Sequence, residues 1–118
     1  HEAVCDVLRK PADSEVELWR ERPFLVRIED RLIRGAFDRV TIQLRKSGAA
    51  TSAHIIDFKT DSVTNDSDLE HLVDKYRPQV ASYREVVAHM LQLDHVHVKA
   101  MLLFVAADRA TAQLIDQG

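Results

Sequence analysis

Residues 55–60 have the sequence IIDFKT, an apolar run that ends in one carboxylate and one ammonium, two residues apart. In a β-strand, residues i and i+2 share a face, so Asp57 and Lys59 point the same way while Ile56 and Phe58 point the other way. This pattern predicts a solvated ion pair on a sheet face or, if further polar partners converge there, a catalytic centre.

Length and composition indicate one soluble domain, residues 1–118, with 46% hydrophobic and 30% charged residues. No apolar stretch reaches the roughly 18 residues of a membrane span, and no signal-peptide pattern opens the chain. We therefore expect a cytoplasmic protein with no membrane partner. The single Cys5 excludes an internal disulfide and a Cys-rich metal site, so any metal must be held by oxygen or imidazole. The net charge of −3 argues against nucleic-acid binding by bulk electrostatics alone.

The predicted elements describe a mixed sheet flanked by helices, an α/β fold. Strands are predicted at 17–28, 31–44, 54–59 and 96–107, and helices at 1–8, at 76–93 with Pro78 in its first turn, and from 110 to 117. The acidic stretch 60–74 is predicted to be a solvated loop with a helical turn at 69–73, or else a metal loop, although its spacing does not fit a calcium-binding helix-loop-helix site. The chain starts and ends within predicted helices, so we expect a piece of a larger protein.

A second carboxylate, Asp38, lies between apolar neighbours in the strand 31–44, where it is costly unless it is paired or metal-bound. If this strand lies beside the strand 54–59, Asp38 and Asp57 can converge, and they repel each other unless a cation lies between them. A hard divalent ion such as Mg²⁺ takes oxygen ligands of this kind, together with water and phosphate. Lys59 would then face the same water, which it can orient or help to deprotonate.

Five short segments carry a resemblance to a known family. They are HEAV at 1–4, ERPF at 21–24, GAFDRV at 35–40, IIDFKTD at 55–61 and QVASY at 79–83. In this order and at similar spacing, they resemble the RecB-like nuclease branch of the PD-(D/E)xK superfamily. That branch forms the C-terminal part of bacterial UvrD-like helicase–nucleases of the AddA and RecB type. The resemblance covers most of the chain and implies a restriction-endonuclease-like core.

The resemblance implies a metal site of four groups. Asp38 and Asp57 become the metal carboxylates, and the backbone carbonyl of Phe58 becomes a further ligand. His1 becomes the histidine of the first helix that reaches the metal. The implied metal is Mg²⁺ or Mn²⁺.

The remaining roles fall on side chains around the metal. Lys59 becomes the catalytic lysine. Gln79 and Tyr83 match the family's Gln-x-x-x-Tyr motif, which shapes the active site and contacts DNA, although Tyr83 fits core packing equally well. Glu21 is interpreted as structural. From their position near this motif on the predicted helix, Arg77 and Arg84 are expected to touch phosphate.

The resemblance implies an exonuclease domain of a helicase–nuclease in double-strand-break repair and recombination. It would hydrolyse DNA phosphodiester bonds to leave a 5′-phosphate and a 3′-hydroxyl. The implied partners are single-stranded DNA ends, an ATP-driven helicase domain of the same polypeptide and a second nuclease subunit. One alternative is a catalytically silent nuclease-fold scaffold or DNA-binding module of a helicase, against which the intact Asp38, Asp57 and Lys59 count. Another is a different enzyme of the superfamily, such as a phage exonuclease or a Cas4-like protein; the missing cysteines argue against the Cas4-like type.

Overall fold

The structure, a computed structural model, describes residues 15–106 and 109–115. In chain order the elements are β1 (Glu15–Ile28), β2 (Arg31–Leu44), β3 (Ala50–Lys59), helix α1 (Asp66–Leu91), a short 3₁₀ helix (His95–His97), β4 (Val98–Ala106) and β5 (Arg109–Ile115). The first predicted helix, at 1–8, lies outside the described residues.

The five strands form one mixed sheet in the order β1-β2-β3-β4-β5. The β3–β4 pair is parallel and the other three pairs are antiparallel. A parallel pair needs a crossover connection, and α1 supplies it between β3 and β4. The prediction of an α/β fold with a mixed sheet is confirmed, while the described residues contain one α-helix packed on one face of that sheet.

Helix α1 begins earlier than the sequence analysis predicted. Asn65 caps it by accepting a 2.8 Å hydrogen bond from the backbone N–H of Asp68, and acidic residues occupy its first turn, where they favour the positive end of the helix dipole. The prediction of a loop over 60–74 is therefore wrong from Asp66 onward. Pro78 lies in the helix interior rather than in its first turn. There it leaves the carbonyl of Asp74 without its helical hydrogen bond.

Residues 109–115 form strand β5, so the predicted final helix is wrong. Burial alternates along this segment: Thr111, Gln113 and Ile115 are the more buried residues, and those between them are exposed. The segment pairs along β4, and those ladder hydrogen bonds outweigh the helical preference of its alanines. The strand predictions at 17–28 and 31–44 are confirmed, and β3 starts at Ala50, four residues before the predicted 54.

The hydrophobic core lies between α1 and the sheet. Helical residues Val80 and Val87 are buried against strand residues such as Ile42, Ile55 and Leu102. This confirms the predicted apolar stripe of the helix. No helix in the described part of the chain has the length and apolarity needed to span a bilayer.

Candidate active site

An irregularity in the β1–β2 pair turns Asp38 toward the helix. Phe37 and Val40 are three residues apart, so strict alternation would place them on opposite faces, yet both are buried in the same core. The alternation of side chains between the two sheet faces is therefore interrupted next to Asp38. On the neighbouring strand, Glu21 lies opposite Asp38 and has a φ of 45°, a backbone conformation that residues other than glycine rarely adopt. As a result both Phe37 and Asp38 face the helix side of the sheet.

Strand β3 places Asp57 and Lys59 on the same helix-facing side. Asp57 is only 6% exposed, although it is a carboxylate. The ammonium nitrogen of Lys59 lies 3.0 Å from Asp57 Oδ2. Ile56, between the two core-facing residues Ile55 and Asp57, points to the other face. The predicted sharing of a face by Asp57 and Lys59 is confirmed.

The carboxylates of Asp38 and Asp57 lie close enough for Asp38 to raise the pKa of Asp57. The backbone N–H of Phe58 donates to Asp38 Oδ2 at 2.8 Å, which fixes the position of that carboxylate beside β3. Burial, reinforced by the adjacent Asp38, raises the pKa of Asp57 to about 6, and Lys59 opposes the rise only in part. The two carboxylates therefore repel each other when both are ionised, and a cation bound between them would relieve this repulsion.

A chain of hydrogen bonds connects Lys59 to the helix. Lys59 Nζ donates to Gln79 Oε1 at 2.7 Å, and Gln79 Nε2 donates to the hydroxyl of Tyr83 at 3.3 Å. The Lys59 ammonium also lies 4.2 Å from the centre of the Tyr76 ring. Because Gln79 and Tyr83 are one helical turn apart, the helix holds the lysine from two successive turns.

Tyr83 belongs both to the core and to the site. Its ring packs edge-on against Phe24 and Phe37, at centroid distances of 5.6 and 5.4 Å. Burial, with a smaller contribution from the Asp57 charge, raises the pKa of the Tyr83 hydroxyl. A Cβ atom at Gly35 would lie 2.7 Å from the Phe24 ring and 3.3 Å from the Tyr83 ring, so this aromatic contact requires glycine.

The structure adds side chains that the sequence analysis did not assign to the site. The hydroxyl of Tyr76 donates to Asp61 at 2.7 Å, which ties the segment after β3 to the helix. Asp38 lies at an open pocket of about 510 Å³ whose wall includes Arg20 and Arg39. The Nε atom of Arg39 is buried and has no hydrogen-bond partner within residues 15–106 and 109–115. Arg39 pairs with Ile56 and so lies on the sheet face that points away from α1, and only the pairing of strands reveals this pocket.

Other predicted residues lie elsewhere. Arg84 donates to the backbone carbonyls of Val98 and His95, so its guanidinium joins the helix to the start of β4. That Arg84 also touches phosphate stays a prediction. Arg77 lies 3.5 Å from Asp74 on the helix surface. The predicted metal ligand His1 lies outside the described residues.

The donor set fits a hard divalent cation. Asp57 Oδ2 is buried and, despite the nearby ammonium, accepts no well-aligned hydrogen bond from the described residues. Mg²⁺ prefers oxygen ligands, keeps several waters and is commonly bound through one or two carboxylates. Within residues 15–106 and 109–115, no three His, Cys, Asp or Glu side chains group so as to hold a metal. The described side chains thus offer two candidate ligands, Asp38 and Asp57, and the Phe58 carbonyl as a further ligand stays a prediction.

Comparison with known families adds to this geometry. The family model of the PD-(D/E)XK nuclease superfamily matches residues 1–117. The chain belongs to the PD-(D/E)XK nuclease superfamily. Superfamily members are generally nucleases and typically use divalent metals. No curated protein matches the chain significantly. In this PD-(D/E)XK chain, Asp57-Phe58-Lys59 matches the D-x-K of the superfamily's name, and Asp38 follows Phe37 where the name has proline.

Proposed function

We propose that this chain is the metal-dependent DNA exonuclease domain of a helicase–nuclease that acts in double-strand-break repair and recombination. The observation that carries the proposal is the continuous linkage of five side chains at one end of β3. These are Asp38, Asp57, Lys59, Gln79 and Tyr83. Superfamily membership makes nuclease chemistry the natural use of this group.

Within this proposal, different residues of the chain bind the metal, orient the water and position the lysine. Asp38, Asp57 and the carbonyl of Phe58 would hold Mg²⁺ or Mn²⁺. When bound, such an ion supplies a Lewis acid and lowers the pKa of water. Lys59 is positioned to orient the attacking water and to offset the negative charge that develops on the phosphorus oxygens. Gln79 accepts from Lys59 and so keeps its ammonium at the carboxylates.

The wider role rests on the resemblance to AddA- and RecB-type nucleases. In the cytoplasm, a helicase domain of the same polypeptide would deliver single-stranded DNA ends, and a second nuclease subunit would be a further partner. A chain with a net charge of −3 offers few phosphate contacts, so tethering to a helicase would raise the local DNA concentration. Arg20 and Arg39, which line an open pocket together with Asp38, are further phosphate-binding candidates in addition to Arg77 and Arg84.

A nuclease assay tests the catalytic part of the proposal. We expect the protein with Mg²⁺ to degrade linear single-stranded DNA but not a closed circle, and to stop when the metal is chelated. Lys59→Met should lower turnover by about a hundredfold or more, because it removes the charge that stabilises the transition state. Lys46→Met, in the exposed turn before β3, is the matched control. Near-normal turnover in Lys59→Met would contradict the assignment.

The alternative is a catalytically silent nuclease-fold scaffold or DNA-binding module of a helicase. The observation that favours it is the presence of only two grouped carboxylates, rather than three metal-ligating side chains, within the described residues. The same assay separates the two functions. DNA binding without degradation by the intact parent protein, under both Mg²⁺ and Mn²⁺, would support the silent module.

A further inference from the structure

A second polar pocket lies on the face of the sheet opposite the candidate active site. It has a volume of about 320 Å³. Its donor-bearing residues are Thr41, Gln43, Ser52, His54, His97 and Lys99. Thr41 and His54 are partners across β2 and β3 and alternate with residues of the helix-side core, so both point away from α1. His54 precedes Asp57 by three residues on β3 and faces the other way, which separates this pocket from the metal carboxylates.

The charge of the pocket favours an anion. Among the described residues that line it, none is acidic, although the chain as a whole has 19 acidic and 16 basic residues. Lys99 supplies a permanent positive charge, and the His97 ring at the end of the 3₁₀ helix adds an N–H donor. The hydroxyl groups of Thr41 and Ser52 and the amide of Gln43 also line the pocket. This combination of cation and neutral donors is the one that binds oxyanions.

Two atoms of the pocket residues lack the partners that buried polar atoms normally have. Thr41 is 2% exposed, and its Oγ1 has no hydrogen-bond partner in the described part of the chain. His54 Nε2 is likewise buried and unpartnered there. A buried hydroxyl without a partner destabilises a protein, so such atoms are rare in folded proteins. A bound group whose oxygens accept hydrogen bonds would satisfy the hydroxyl.

We propose that this pocket is a second binding site, for a phosphate group, held by Lys99 and His97 with the Thr41 and Ser52 hydroxyls as donors. The volume exceeds that of a phosphate ion alone, and the exposed side chain of Val96 forms an apolar edge. The phosphate can therefore be free or can belong to a phosphate ester such as a mononucleotide. The proposal does not depend on nuclease activity, since none of these residues belongs to the candidate active site.

Titration of the metal-free protein, followed by NMR at constant ionic strength, tests the proposal. Inorganic phosphate should produce saturable shifts of the His54 and His97 ring signals. Lys99→Gln should weaken binding about tenfold, because it removes the permanent charge. Thr41→Val should also weaken binding. Valine keeps the shape of the threonine side chain and removes a hydroxyl that has no partner among the described residues, so the variant should fold. Lys46→Gln makes the same charge change in an exposed turn and should leave the affinity unchanged.

A deoxynucleoside monophosphate identifies the source of the phosphate. Tighter binding than that of inorganic phosphate would assign the pocket to a phosphate ester, and equal or weaker binding would assign it to the free ion. The absence of saturable shifts up to about 10 mM of both ligands would overturn the proposal. It would also fail if Lys99→Gln and Lys46→Gln bound phosphate equally.

Discussion

Asp57→Asn should make the metal-free protein more stable, which is unusual for a change at an active-site residue. The carboxylate is 6% exposed and lies against Asp38, and burial is the largest cause that raises its pKa from 3.8 to about 6. A displacement of roughly two pKa units corresponds to about 3 kcal/mol of lost stability at neutral pH. Asparagine has the same shape without the charge, so it removes much of this penalty.

The expected gain in the free energy of unfolding is about 1–3 kcal/mol, because loss of the Lys59 ion pair offsets part of the benefit. For a domain of this size, that gain corresponds to a rise in Tm of roughly 4–12 °C. The assay is thermal and urea unfolding with the metal chelated. Asp30→Asn, in the exposed β1–β2 turn, makes the same chemical change and should alter stability by less than about 0.5 kcal/mol.

The stability difference between Asp57→Asn and the wild type should change with pH in a definite direction. The pKa of Asp57 is about 6 in the folded state and 3.8 in the unfolded state, so between these values the folded wild type binds a proton that the unfolded chain does not. The free energy of unfolding of the wild type therefore rises as the pH falls from about 6 toward 3.8. The advantage of Asp57→Asn should therefore be full above pH 6 and disappear toward pH 4. Added Mg²⁺ should stabilise the wild type by binding its native state and leave Asp57→Asn unchanged. A metal-free Asp57→Asn protein no more stable than the wild type would refute the reasoning.

Three further changes test other parts of the site and core. Lys59→Met should lower turnover by about a hundredfold or more while the Mg²⁺-induced rise in Tm persists, as measured by melting and nuclease assays on the same sample. Gly35→Ala should lower the free energy of unfolding by about 1–3 kcal/mol, because its Cβ would meet the Phe24 ring at 2.7 Å; urea unfolding checks this. Burial lowers the pKa of His54, so the contribution of His54 to stability should be full above about pH 6.5 and fall below it, opposite in sign to that of Asp57; His54→Gln should remove that fall, and the exposed His71→Gln should not.

The sequence predicts the strands better than the helices, for a physical reason. Alternating β-branched and aromatic residues specify β1 and β2 locally, and the predicted bounds agree with the observed ones to within two residues. The start of α1 was missed because its first turn is rich in carboxylates, which resemble a solvated loop until the Asn65 cap is recognised. Strand β5 was missed because its identity depends on pairing with β4, a contact between segments that no local pattern encodes.

The sequence predicts those features of the candidate site that lie within one strand. It predicts less well the features that depend on the pairing of two strands. The shared face of Asp57 and Lys59 follows from a period of two residues. The orientation of Asp38 does not, because it depends on the change of phase opposite Glu21, whose positive φ no sequence rule assigns to a glutamate. Arg39 could not be assigned from the sequence, because its place in the pocket at Asp38 depends on how β1, β2 and β3 pair.

The site and the core stabilise each other through the helix that crosses from β3 to β4. Gln79 helps to fix Lys59, which also contacts Asp57 and the Tyr76 ring, and Gln79 is held in turn by Tyr83. The ring of Tyr83 packs on Phe37, the residue next to Asp38 on β2. A displacement of the helix would therefore move the lysine and the aromatic support of the carboxylate strand together. Because this packing contact adjoins Asp38 and, through Gln79, Lys59, core substitutions around Tyr83 should impair the candidate site before they unfold the domain.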